Sequence, residues 1–252
     1  MIAIESILSR LLGRARAEGG YSLPELTVAI FVGSVILAGL FTMIEFSVRS
    51  NARTTSRVAA DQIARPAMQR IVDELHSACI YPGLAPVQPG SITQGGSTDT
   101  TLAFISATGS AANPTPVLHK IVWNSSTGTM IDYSYPYVSG TAPNWTFATT
   151  PSPSAGYKML DRAYKVGTTP VFSYYKYASG AISGTPLPAT TASPLTTDNA
   201  KLAVQVNVSF KTALSASAQT VDSENAVTLA ESVLLRFSPS NEDTNKAGLP
   251  CT

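Results

Sequence analysis

Few side chains in these 252 residues carry obvious chemistry, and the one with the most pointed setting is a carboxylate. Glu25 stands directly against Leu26–Ile44, a run of 19 residues without a charge. Placing an ionised group in a bilayer costs about 2.5–3.5 kcal/mol at mid-membrane and less near the headgroups. A carboxylate at this position therefore needs either an interfacial setting at a helix N-terminus, which favours acidic groups, or a positive partner. The two cysteines, Cys79 and Cys251, are the next candidates. In an oxidising compartment they can form a disulfide tying the C-terminal tail to the helix that ends near Cys79. The other reading is a buried Cys79 and a free Cys251. His76 adjoins Glu74 and Leu75 in a helical stretch and reads as a surface residue; His119 lies in a strand beside Lys120 with no evident carboxylate partner. GxSxG, HExxH, GxGxxG and phosphate-loop patterns are missing, and there is no Cys/His spacing for zinc. The loop Ser240–Asn245, with Glu242 and Asp243, lacks calcium-loop spacing. The expectation is a protein with no catalytic residues, no cofactor and no metal, which works by assembly.

Composition agrees with an exported, turn-rich β-protein. Charged residues make up 13% of the chain, about half the usual share. The balance of 17 basic to 16 acidic residues gives a net charge of +1, which removes the footprint of a general nucleic-acid binder. Tyr133, Tyr135 and Tyr137 alternate and Tyr174, Tyr175 and Tyr177 cluster, but stacking on single strands also needs a basic groove. Cross-strand packing is the better reading. At 44% hydrophobic residues, the chain has ample apolar content to fold.

The elements that must position these residues follow from the apolar pattern. The run Leu26–Ile44 meets the length of a membrane-spanning helix, about 20 apolar residues. Arg10, Arg14 and Arg16 precede it, which keeps that end cytoplasmic. The run is too long for the core of an ordinary signal peptide and no A-x-A site follows it. Gly33 and Gly39 inside it read as close-packing positions or as points of local melting. Beyond Ile44 the helix turns amphipathic. Glu45 with Arg49, and Asp61 with Arg65, are i,i+4 pairs. Arg49, Arg53 and Arg57 form a basic stripe, and Ile63, Ala67, Ile71, Leu75 and Cys79 predict one buried face. Pro66 predicts a kink or a split, and Tyr81-Pro82-Gly83 a stop.

After residue 83 the period becomes that of strands. Thr101–Ser106, Val117–Asn124, Thr129–Tyr135, Val171–Tyr177, Ala203–Lys211 and Val227–Phe237 read as strands, with a hairpin across Ser125-Ser126-Thr127-Gly128. Residues 139–156 and 180–198 read as exposed loops. An apolar helix face followed by antiparallel strands predicts an α+β architecture, the sheet wrapping the helix.

The stretch Gly20-Tyr21-Ser22-Leu23-Pro24-Glu25-Leu26, with its basic leader and apolar helix, resembles the prepilin signal of type IV pilins and type II secretion pseudopilins. The resemblance implies cleavage between Gly20 and Tyr21 by a prepilin peptidase, N-methylation at Tyr21, and retention of the apolar helix. It also implies an assembly role for Glu25, pairing with the new amine of a neighbouring subunit. Arg65-Pro66-Ala67-Met68-Gln69-Arg70, Asp73-Glu74-Leu75, Thr101-Leu102-Ala103-Phe104, Phe172-Ser173-Tyr174-Tyr175 and Val233-Leu234-Leu235-Arg236 are similar, in order and spacing, to the larger minor pilins and J-type pseudopilins. Glu25 separates the chain from the tip-capping K-type subunit, which lacks it; Pro66 and the 20-residue leader depart from the family pattern. The organisation implied is a leader (1–20), a transmembrane and filament-core half-helix (21–48), an amphipathic half-helix (49–80) and a β-rich extracytoplasmic head (81–252), a pilin-like fold. The implied partners are the prepilin peptidase, other pilin or pseudopilin subunits, and the cytoplasmic membrane before assembly into a surface or periplasmic filament. Two other functions fit the same residues: an anchored adhesin or binding module that never polymerises, and an anchored envelope hydrolase.

Overall fold

The first element is a single helix, α1, from Leu23 to His76. The computed structural model describes residues 22–79, 83–110, 113–178, 180–214 and 226–235. It divides into two compact units, Met1–Ala52 and Arg53–Thr252.

Within the first unit, α1 is apolar on every side. From Leu23 (79% exposed) to Val48 (63% exposed), no large apolar side chain is buried. Three hydroxyls in this stretch bond back onto the helix: Thr27 Oγ1 donates to the Pro24 carbonyl, Ser34 Oγ to that of Ile30, and Thr42 Oγ1 to that of Gly39, each at 2.8 Å. A helix that satisfies its own polar groups can sit in hydrocarbon without unpaired donors. It is long and apolar enough to cross a membrane.

In the second unit the same helix has one buried face, made of Ala60, Ala64, Ala67, Met68, Ile71 and Leu75. Ile63 is half exposed at 51%, so the buried stripe runs through the alanines and not through Ile63, contrary to the four-residue repeat read from sequence. A strict period of four drifts around a helix of 3.6 residues per turn. Pro66 lies inside α1 without splitting it. Buried contacts on both sides of the proline, at Ala64 and at Ala67 and Met68, hold the axis through a position that costs an isolated helix about 3 kcal/mol. After α1 the backbone turns at Ser77 and runs onto a sheet edge, where Cys79 N–H donates to the Ile105 carbonyl at 2.7 Å.

Two antiparallel sheets supply the rest. In the first, β1 (Thr101–Ser110), β2 (Asn113–Asn124), β3 (Thr129–Thr141) and β4 (Asn144–Phe147) lie in sequence order, and β5 (Tyr157–Leu160) also pairs with β3. The expected β2–β3 hairpin is present across residues 125–128, where Gly128 takes a left-handed φ of 69°. In the second, β10 (Gln205–Thr212) pairs with β11 (Val227–Leu234), β7 (Phe172–Tyr175) and β6 (Ala163–Tyr164). A further two-stranded ribbon joins β8 (Tyr177–Ala178) and β9 (Ala181–Ile182), and a short helix, α2 (Thr197–Leu202), is capped by Thr196, whose Oγ1 accepts from Asn199 N–H.

The alternation read from sequence is clearest in β10: Val206, Val208 and Phe210 are fully buried while their neighbours are half exposed. The segment 139–156 is less irregular than expected, since β3 runs on past Tyr135 and pairs with β4. The sequence offers no apolar alternation there because this hairpin is mostly outside the core; β3 is exposed from Pro136 to Thr141. One core cluster joins the α1 face to both sheets, through Leu102 and Phe104 of β1, Trp123 of β2, Met130 of β3, Tyr174 of β7 and Phe210 of β10. Its polar atoms are paired: Trp123 Nε1 donates to the Ala163 carbonyl at 2.8 Å, and Tyr174 Oη to that of Thr101 at 2.7 Å. Burial raises the Tyr174 phenol above its ordinary range, so it stays a neutral donor. The architecture is α+β, a long N-terminal helix with antiparallel sheet.

Candidate functional site

Glu25 occupies the first turn of α1. Ser22 precedes the helix, and its carbonyl accepts from Glu25 N–H at 2.9 Å and Leu26 N–H at 3.1 Å. The Ser22 hydroxyl is 3.5 Å from Glu25 Oε2, at the outer limit of a hydrogen bond. Ser22 and Glu25 thus have the spacing of a capping box, a local reason for a carboxylate at this position that the sequence reading did not include. Among the described residues the Glu25 carboxylate meets no other polar group, and it is exposed. It is available to an external partner.

The cleavage residues Gly20 and Tyr21 lie outside the described residues, as does Cys251. Cys79 is buried at 1% exposure, in a small cluster with Leu84, Ile105, Leu118 and Tyr135. Of the expected site residues, Glu25 and Cys79 lie among those described. Of the basic stripe, Arg49 pairs with Glu45 one turn earlier, and the separately expected Asp61–Arg65 pair also forms.

A second constellation joins α1 to the first sheet, and sequence reasoning missed it. His119 on β2 does have carboxylate neighbours. Its Nδ1 lies 3.2 and 3.3 Å from the two oxygens of Asp132 on β3, and 3.7 Å from Glu74 Oε2 on α1. Register explains the first contact: His119 pairs with Ser134 and Ile121 with Asp132, so His119 and Asp132 are diagonal neighbours on one face. Asp132 is 1% exposed. Arg70, one turn before Glu74, donates from Nε to Glu74 Oε1 at 2.7 Å and from Nη2 to Asp132 Oδ2 at 3.3 Å. Its guanidinium also stacks over the Tyr157 ring at 4.0 Å, and the His119 ring lies against Phe104 with centroids 5.5 Å apart. Burial and the nearby Asp132 charge push the Glu74 carboxyl above its ordinary value. The only signal in the sequence was the parity of His119 and Asp132 across the predicted hairpin.

Comparison with protein-family models, with curated proteins and with solved structures finds no match for this chain.

Proposed function

We propose that this chain is a minor pilin or pseudopilin: a structural subunit, processed by a prepilin peptidase, held in the cytoplasmic membrane by α1, and assembled into a filament through that helix. The observation that carries the reading is the helical segment Leu23–Val48, exposed on all sides, opening on a carboxylate that has no partner beyond Ser22 among the described residues. An exposed apolar surface of this extent is unstable in water and must be covered by lipid or by other helices. The hydroxyls of Thr27, Ser34 and Thr42 are internally satisfied, which suits either environment in turn. A Cβ built at Gly33 or Gly39 meets nothing within 4 Å, leaving flat places where another helix can approach closely. Glu25 suits a subunit: beyond the local capping relation to Ser22, which an anchor shares, a subunit can pair it with an incoming amine. The head then faces outward and works by contact, without turnover.

Co-expression with an active prepilin peptidase tests this reading. The expected product lacks residues 1–20 and starts at Tyr21; a chain that keeps its leader beside an active peptidase overturns the reading. One feature favours the non-polymerising binding module as a second reading. A groove of about 330 Å³, lined by Trp145, Phe147, Gln88, Gln94 and several hydroxyls, contains no charged residue. Aromatic and amide groups of this kind suit a neutral polar ligand, and such a module would not be cleaved after Gly20.

A further inference from the structure

The Glu74–His119–Asp132 constellation has the wrong spacings for a closed ion-pair network. Charge-assisted N–H···O bonds normally close to about 2.7–2.9 Å. Here His119 Nδ1 stands 3.2 Å from Asp132 Oδ1 and 3.7 Å from Glu74 Oε2, and all three atoms lie within 4.8 Å of one another. Ligands bonded tetrahedrally to an ion at about 2.0–2.2 Å stand about 3.4 Å apart. The two separations from His119 Nδ1, 3.2 and 3.7 Å, bracket that spacing. Glu74 Oε2 is buried and has no hydrogen-bond partner, a deficiency a native structure rarely leaves in place.

The other oxygens show how the set is aimed. Arg70 holds Glu74 Oε1 and Asp132 Oδ2 with one guanidinium, which leaves Glu74 Oε2 facing His119, while both Asp132 oxygens lie within 3.3 Å of His119 Nδ1. Ligating carboxylates are characteristically fixed in this way, through the oxygen that does not ligate. Phe104 stacked on the imidazole fixes its ring plane. Asp132 is almost fully buried, where a polar group left without a partner is costly.

We propose that Glu74 Oε2, His119 Nδ1 and Asp132 Oδ1 form a site for a divalent first-row transition ion of the zinc type, clamping α1 to the β2–β3 hairpin. One imidazole and two carboxylates suit such ions. Binding requires neutral His119 with its proton on Nε2, and both carboxylates ionised. Arg70 is a positioning residue outside the coordination shell. The site does not depend on cleavage or polymerisation, so it stands or falls separately from the subunit reading.

The test uses the full chain in detergent and zinc alone as the probe. After chelation and removal of chelator, it is expected to take up one zinc per chain and to melt at a higher temperature with zinc than without. Glu74→Gln and His119→Gln should abolish both effects, and Arg70→Gln should weaken binding about 10–100-fold, as loss of an outer partner does. His76→Ala, at the other histidine, should change neither. Cobalt uptake should give ligand-field absorption bands in the parent chain and not in Glu74→Gln. Failure of the parent chain to bind zinc overturns the proposal. Equal zinc responses in the parent chain and Glu74→Gln overturn it equally, because binding would then be adventitious.

Discussion

Chains carrying Glu25→Gln are expected to be cleaved and to remain in the membrane, yet to enter filaments about two orders of magnitude less efficiently than the parent. The reasoning turns on which charge is left over. In the proposed subunit, cleavage at Gly20 would create an amine at Tyr21, four residues from Glu25, next to an apolar surface that runs from Leu23 to Val48. Removing one member of a buried ion pair costs about 3–5 kcal/mol, because the remaining charge is stranded. At about 1.4 kcal/mol per tenfold, that lies between about a hundredfold and several thousandfold in the docking equilibrium. Glutamine keeps the size and helix propensity of glutamate and still reaches Ser22, so the helix start survives. Counting variant against parent subunits in filaments from cells expressing both gives the ratio. Equal incorporation would remove Glu25 from assembly.

Ile71→Ala carries the second large effect, a loss of about 2–5 kcal/mol of stability in the Arg53–Thr252 unit. Ile71 is fully buried in the cluster where the α1 face meets both sheets, and truncating a core isoleucine removes transfer free energy and leaves a cavity. Ile63→Ala, two turns earlier on the same helix and 51% exposed, should cost well under about 1 kcal/mol. Denaturation of the two variants in detergent separates them. Similar losses would mean that α1 is not seated on the sheets along the Ala64–Leu75 stripe.

The fold was largely legible because its periods are clean. β10 alternates from Gln205 to Thr212, and the β2–β3 turn is announced by Ser125 to Gly128. The uncharged run after Glu25 stated its own requirement for lipid or neighbouring helices. Legibility failed where tertiary contacts overrode local rules. Pro66 does not split α1, since burial on both sides outweighs the lost N–H bond. Ile63 sits on an apolar repeat yet faces away from the core. The β3–β4 hairpin gave no signal because its residues are mostly exposed and need no alternation. The Arg70–Glu74–His119–Asp132 constellation was hidden for another reason: its members come from one helix and two strands, and only the docking of α1 on β2 and β3 brings them together. Glu25 was recognisable from its position beside the apolar run, although its capping relation to Ser22 was overlooked.

The account rests on the chain being trimmed while its apolar helix is kept. Intact-mass and N-terminal sequence determination on the membrane-bound chain from its native host measures this directly. The account predicts a mature chain that begins at Tyr21, carries a methyl group on its amine and still contains Leu26–Ile44. A mature chain beginning at Met1, or at any residue beyond Glu25, contradicts it.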